Sequence, residues 1–122
     1  MTSSVLWLDE QTRLSQTLHA LGTKSIFFTR PELDAILRVY GRMVAKGEWR
    51  DYAIDQTKDM VAFAIFRRTS EMPLFRIEKQ PKLARKQGAY AILGAAGQVL
   101  RRGADIDLML RYFAPRTMAL ID

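Results

Sequence analysis

The chain has 122 residues and a formal net charge of +6 at pH 7; 48% of its residues are hydrophobic and 26% are charged. This size and composition are typical of one globular domain that folds without disulfides or a structural metal. The absence of Cys excludes disulfides, iron–sulfur clusters and Cys-ligated zinc, and a single His excludes metal sites built on two or three His. We therefore expect no metal and no cofactor.

Residues 1–24 form a predicted N-terminal amphipathic segment. Within it, Leu14, Leu18 and Leu21 follow the helical period and predict a short helix over residues 9–21. This helix either docks on the domain or provides a contact for a partner. The first ten residues lack the basic start and the unbroken apolar run of a secretory signal or a membrane span, so we expect a cytoplasmic protein.

A second, longer helix is predicted to follow. Residues 29–32 read as a capping box with Pro31 in the first helical turn, and Gly47 is suited to end the helix. Apolar residues recur at the helical period between these signals. The predicted inward face consists of Leu33, Ile36, Leu37, Tyr40 and Val44.

From Trp49 onward the apolar pattern changes to the period of two that is typical of strands. We predict strands over residues 52–55, 60–67 and 74–79, and a hairpin of strands 89–93 and 98–101. The strand over 60–67 is apolar on both faces, which indicates a central position in a sheet.

Two local signals complete the C-terminal half. The segment Gly94–Gly97 has the GxxG form that clamps a nucleic-acid backbone in KH domains, but it lies between strands here and is better interpreted as a hairpin turn. Asp105 is suited to cap a last helix.

The order of these elements predicts an α+β fold. We expect an antiparallel sheet of about five strands, with two main helices packed on it and a short N-terminal helix. The single α+β domain would span residues 25–114, and residues 115–122 would form a C-terminal tail.

Two segments carry a resemblance to known proteins: YGRMVAKGEWRDYAID at residues 40–55 and FRRTSEMPLFRIEKQPKLARKQGAYAILGAAGQVLRRG at residues 66–103. Through them, residues 26–113 resemble a family of small bacterial proteins of the alphaproteobacterial type whose function is unknown. The resemblance implies a bacterial cytoplasmic protein. It implies no activity, cofactor or site.

Positive charge is concentrated in one part of the chain. Between Arg67 and Arg102 there are nine Lys or Arg residues and two acidic residues, a local charge of +7, whereas the rest of the chain sums to −1. Such a stretch attracts polyanions. We expect its cations to converge on one edge of the sheet and its loop. Tyr90 or Phe75 could add stacking there, although Phe75 is better interpreted as a core residue. The candidate nucleic-acid-binding residues are Arg67, Arg68, Arg76, Lys79, Lys82, Arg85, Lys86, Arg101 and Arg102.

Residues suited to catalysis are few. His19 lies in the peripheral N-terminal helix, which argues against a Ser/His/Asp arrangement. The carboxylates Glu48, Asp51, Asp55 and Asp59 cluster near the start of the sheet and could form an acid/base or cation site, but ion pairs and turn caps are the simpler interpretation. We therefore predict no enzyme, and keep a small enzyme at these carboxylates as the third hypothesis.

The sequence favours a non-enzymatic domain that binds a polyanion, with nucleic acid, in a binding or regulatory role, as the first choice. The alternative is a protein-interaction module that docks an acidic partner or associates with itself as a homo-oligomer. Aromatic rings beside the arginines would favour nucleic acid. We expect no membrane partner.

Overall fold

The fold is built on a five-stranded antiparallel sheet whose strands lie side by side in chain order. A computed structural model describes residues 25–68 and 72–114. The helices are α1 (Arg30–Ala45) and α2 (Ile106–Leu110), and the strands are β1 (Asp51–Gln56), β2 (Val61–Phe66), β3 (Phe75–Lys79), β4 (Tyr90–Leu93) and β5 (Val99–Gly103). The predicted α+β class, sheet and two helices are confirmed. The predicted N-terminal helix and C-terminal tail lie outside the described residues.

Helix α1 begins where the sequence predicts. The Thr29 hydroxyl accepts a hydrogen bond from the Glu32 backbone N–H at 3.3 Å, and a Glu32 carboxylate oxygen accepts one from the Thr29 backbone N–H at 2.7 Å. These two bonds form a capping box, which satisfies two N–H groups that the helix itself cannot. The start of α1 is therefore encoded in the local sequence.

The buried face of α1 is rotated relative to the predicted one. Leu33 and Ile36 are buried as expected, but Ala35 and Val39 are buried too, whereas Leu37 is only half-buried. Helix α1 packs against α2 as well as on the sheet, and the buried Ala35 and Val39 lie where the two helices meet. The sequence pattern cannot show this second neighbour.

The two faces of the sheet have different composition. The large residues of β2, Val61, Phe63 and Ile65, lie in the core with Ile77 of β3 and Ile92 of β4, and both described helices pack on this core face. We call the opposite side the second face. Its central residues are the buried Ala62, Ala64 and Ala91, together with Arg76 and Glu78. Strand β2 is thus paired on both sides and buried on both faces, as predicted.

The turn between β4 and β5 accounts for the GxxG segment. The Gly94 N–H donates to the Gln98 carbonyl at 2.8 Å, and the Gly97 N–H donates to the Gly94 carbonyl at 3.0 Å. Gly97 has a φ of 81°, in the left-handed region that favours glycine. The two glycines therefore close the hairpin.

The first prediction tests the rotated face of α1. Leu33→Ala should lower the free energy of unfolding by about 2 to 5 kcal/mol because Leu33 is fully buried, whereas Leu37→Ala, the same chemical change at a half-buried position, should cost less than about 2 kcal/mol. Urea unfolding of both variants measures the difference. An equal or larger loss at Leu37 would contradict the observed helix orientation.

Candidate functional site

The nine predicted cations do not converge on one edge. Strands β2 and β3 are antiparallel, with Val61 opposite Lys79 and Ile65 opposite Phe75. Arg67 and Arg68 therefore leave the sheet at the end opposite to Lys79, separated from it by the length of β2, about 15 to 20 Å. The expected single basic edge is wrong because the antiparallel register sends consecutive strand ends in opposite directions.

Lys79 is engaged inside the domain. Its ammonium group lies 2.8 Å from a Glu32 carboxylate oxygen and donates a hydrogen bond to the Phe27 carbonyl at 2.9 Å. The Tyr90 hydroxyl donates to the other Glu32 oxygen. Both charged side chains are almost completely buried. Lys79 and Tyr90 therefore hold helix α1 on the sheet, and a polyanion at the surface would not meet them.

The pKa of Glu32 reflects this set of contacts. Burial alone would raise it, but the hydrogen bonds from Lys79, Tyr90 and the Thr29 backbone outweigh burial and hold the pKa of Glu32 below its ordinary 4.5. Burial, followed by the bond to the Glu32 carboxylate, raises the pKa of Tyr90. Glu32 is therefore ionised and Tyr90 protonated at neutral pH.

Arg76 is neutralised on the second face. Its guanidinium lies 3.2 Å from the Glu78 carboxylate on the same strand and 3.4 Å from the Asp55 carboxylate on β1. The second contact crosses over β2, whose residues at that level are Ala62 and Ala64. Two carboxylates for one arginine leave no net positive charge at this point.

The two arginines of β5 lie on different faces. Arg101 is opposite the core residue Ile92, donates to the Leu108 carbonyl at 3.1 Å, and has its guanidinium carbon 5.8 Å from the Tyr112 ring centre. Arg102 is opposite Ala91, on the second face. Because adjacent residues of a strand point to opposite sides, these two charges cannot act together.

Three exposed cations remain together, Lys82, Arg85 and Lys86, in the connection between β3 and β4. We call residues 80–89 the basic loop. The Gln80 N–H donates to the Ala89 carbonyl at 2.7 Å, which closes the base of the loop. Within it, the Leu83 carbonyl accepts hydrogen bonds from the backbone N–H groups of residues 86, 87 and 88, each at 3.0 Å. The loop therefore presents its cations from an ordered backbone.

The turn between β1 and β2 lies beside the basic loop. Lys82 and Asp59 form an ion pair of 2.8 Å, and the Lys82 ammonium lowers the pKa of the Asp59 carboxyl. Their side chains are 75% and 56% exposed, so this contact contributes little to stability. It does bring the exposed Lys58, next to Asp59 in the chain, to the same end of the sheet.

The carboxylates considered as an enzyme site have separate partners. Asp51 accepts a hydrogen bond from the Tyr52 backbone N–H at 2.9 Å, Asp55 pairs with Arg76, and Asp59 pairs with Lys82. Within the described ranges, no three Asp, Glu or His side chains come together as a metal site would require. Asp55 and Asp59 therefore form ion pairs where turn caps were expected, and Asp51 bonds to the adjacent backbone.

An aromatic pocket lies at the opposite end of the sheet from the basic loop. Its volume is about 500 Å³, and it lies between the end of α1, the start of β3 and the turn after α2. Its lining residues are Met43, Lys46, Glu48, Trp49, Arg67, Leu74, Phe75, Tyr112 and Phe113. Charge patterning in the sequence points to Arg67 but not to Trp49, Tyr112 or Phe113, because no local pattern shows that these rings meet.

A second basic region was also missed. Arg38 and Arg42 of α1 and Arg111 line a groove of about 290 Å³ between the two helices, with Asp107 as its acidic residue. Arg38 and Arg42 are one helical turn apart, a spacing at which like charges repel. Counting charge along one continuous stretch of chain overlooked them because they come from distant segments.

The Glu32 contacts predict a pH-dependent stability. A carboxyl whose pKa is lower in the folded than in the unfolded state contributes stability above the unfolded pKa, and this contribution is lost as pH falls through the folded pKa. Glu32→Gln should therefore lower the free energy of unfolding at pH 7, and the difference from the unsubstituted protein should shrink below pH 4.5. Urea unfolding at a series of pH values measures this, with the exposed Glu48→Gln as control. A difference that does not change with pH would contradict the assignment.

A further prediction concerns the backbone of the basic loop. Gly88 has a φ of 94°, and a Cβ there would lie 2.3 Å from the Gly103 carbonyl carbon. Gly88→Ala should therefore displace the loop and lower the free energy of unfolding by more than about 1 kcal/mol. Gly41→Ala is the matched control: it has open space in α1 and should stabilise by about 0.5 to 1 kcal/mol. Thermal unfolding of both variants checks the opposite signs.

Comparison with known proteins gives a family but no activity. No described helix is long and apolar enough to cross a membrane. No curated protein and no solved structure matches the chain. Residues 26–110 match the family described as a protein of unknown function, DUF2794. This match covers all five strands and both described helices, and the chain belongs to that family.

Proposed function

We propose that the protein binds nucleic acid through the basic loop and acts by binding rather than catalysis. The observation that carries this proposal is the group of three exposed cations, Lys82, Arg85 and Lys86, on a loop whose backbone is ordered by its own hydrogen bonds. Asp59 is in contact with Lys82, and Lys58 adds a further positive charge nearby. Such a group can neutralise phosphates, and binding does not require the loop to become ordered, which would cost entropy.

The described contacts narrow the set of binding residues. Lys79 and Arg76 are paired with carboxylates of the domain, and Arg101 bonds to a backbone carbonyl. Arg67 and Arg68 lie at the far end of the sheet. The basic loop is therefore expected to contact about three phosphates, which gives a slope of log affinity against log salt of roughly −3 on duplex and roughly −2 on single strands.

We prefer nucleic acid to an acidic protein as the ligand because of the aromatic pocket at the end of the sheet opposite to the basic loop. There, Arg67 lines the pocket that also contains Trp49, Phe75, Tyr112 and Phe113. Aromatic rings beside a cation suit stacked bases with a phosphate, whereas an acidic peptide would need the cations alone. A protein-interaction role remains the alternative that the binding experiment is designed to detect.

The experiment compares two double variants with the same change in net charge. Arg85→Ala/Lys86→Ala should weaken binding of a labelled 20-nucleotide strand and its duplex at least tenfold at low salt. It should also reduce the slope by about 1.8 on the duplex and about 1.4 on the strand, because two phosphate contacts are lost. Arg38→Ala/Arg42→Ala removes two exposed arginines from α1 and should leave the slope unchanged. Fluorescence polarisation at two salt concentrations measures both.

Two results would overturn the proposal. Equal losses in the two double variants would show that binding follows net charge and not the basic loop. Binding of polyglutamate as strong as that of nucleic acid at the same salt concentration would show an acidic protein partner instead.

A further inference from the structure

The aromatic pocket is lined by rings packed edge to face. The ring centre of Phe113 lies 5.0 Å from that of Trp49 and 5.0 Å from that of Phe75, with interplanar angles of 88° and 76°. Tyr112 stands at 89° to Phe113, with the centres 5.3 Å apart. Rings in this arrangement support one another through their edges, and the pocket of about 500 Å³ that they line is large enough for a planar ring system.

One side chain that lines the pocket, Trp49, has a polar group without a partner among the described residues. Trp49 is 3% exposed, and its indole N–H donates to no acceptor among residues 25–68 and 72–114, although its backbone N–H bonds to the Met43 carbonyl at 3.3 Å. An indole N–H that is buried normally finds an acceptor. A ligand with a ring nitrogen or carbonyl oxygen would supply one.

The charge of the lining favours an anion beside that ring. Arg67 is exposed and forms no ion pair with the described residues. Arg67 and Lys46 are the basic residues of the lining, and Glu48 is the acidic one. Arg68, the next residue, does not line the pocket.

We propose that the aromatic pocket binds a nucleobase, with the adjoining phosphate on Arg67. The ring would pack against the aromatic side chains, and an acceptor atom of the base would take the Trp49 N–H. An alkyl chain would leave that N–H unpaired, and a bare phosphate would leave the rings uncovered. The base belongs either to a free mononucleotide or to an unstacked position in a single strand. This inference goes beyond the proposed function and does not rest on it, because the basic loop lies at the other end of the sheet.

The first test measures binding of small probes. The sequence has two Trp, so a Trp7→Phe background makes Trp49 the sole indole. Titration with AMP should quench its fluorescence, whereas ribose 5-phosphate, which carries the phosphate without the base, should not. If a tetranucleotide binds more tightly than AMP, the bound base belongs to a single strand. If the tetranucleotide binds more weakly than AMP, the ligand is a free mononucleotide. Absence of quenching by both AMP and the tetranucleotide, or equal binding of ribose 5-phosphate, overturns the proposal.

The second test uses variants matched in charge and shape, measured by calorimetric titration with AMP. Arg67→Gln should weaken binding about tenfold, the usual effect of losing a charge-assisted hydrogen bond, whereas Arg68→Gln should change it less than about twofold. Trp49→Phe keeps a ring but removes the N–H and should weaken binding about fivefold. Equal effects at Arg67 and Arg68 overturn the assignment of the phosphate.

Two controls keep the tests decisive. Circular dichroism melting of each variant separates lost binding from lost folding, and Arg67→Gln, at an exposed position, stays informative where Trp49→Phe fails to fold. The Arg85→Ala/Lys86→Ala variant should bind AMP unchanged. Loss of AMP binding would therefore remove the argument that prefers nucleic acid to an acidic protein, whereas binding at the basic loop is tested separately by Arg85→Ala/Lys86→Ala.

Discussion

The rest of the structure depends on the Glu32 carboxylate, which joins helix α1 to strands β3 and β4. It closes the capping box of α1, pairs with Lys79 at the end of β3 and accepts a hydrogen bond from Tyr90 at the start of β4. Lys79 also bonds to the Phe27 carbonyl, so the segment that leads into α1 is held at the same point. A buried charge is costly unless it is paired and hydrogen-bonded, and here every contact of the pair also positions an element.

This constraint decides which cations are free to function. Lys79 is the last residue of β3, and the basic loop begins directly after it, so the buried pair anchors one side of the loop while Gln80 and Ala89 close its base. On the second face, the small side chains of Ala62 and Ala64 let Arg76 reach Asp55 across β2. Lys79 thus joins β3 to α1, and Arg76 joins β3 to β1, so both charges act within the domain. Exposed positive charge lies instead on the basic loop, just after β2 and on the outer face of α1.

The sequence predicted features that are encoded locally. The capping box at Thr29, the hairpin turn at Gly94–Gly97 and the period-two pattern of the strands each depend on neighbouring residues, and all three agree with the structure. The buried face of α1 was predicted incorrectly at Val39 and Ala35, because burial there depends on α2, which comes late in the chain. The convergence of the nine cations failed for a similar reason, since antiparallel register separates residues that are close in sequence.

The aromatic pocket could not be predicted from the sequence, because its residues are distant in sequence and meet only in the fold. Trp49 follows α1, Phe75 begins β3 and Phe113 follows α2, and the antiparallel sheet brings the start of β3 to the end of α1. The same register that removes Arg67 from the basic loop places it beside these rings. A pocket lined by four aromatic rings and by Arg67 and Lys46 is therefore a consequence of the fold, and charge counted along the chain does not reveal it.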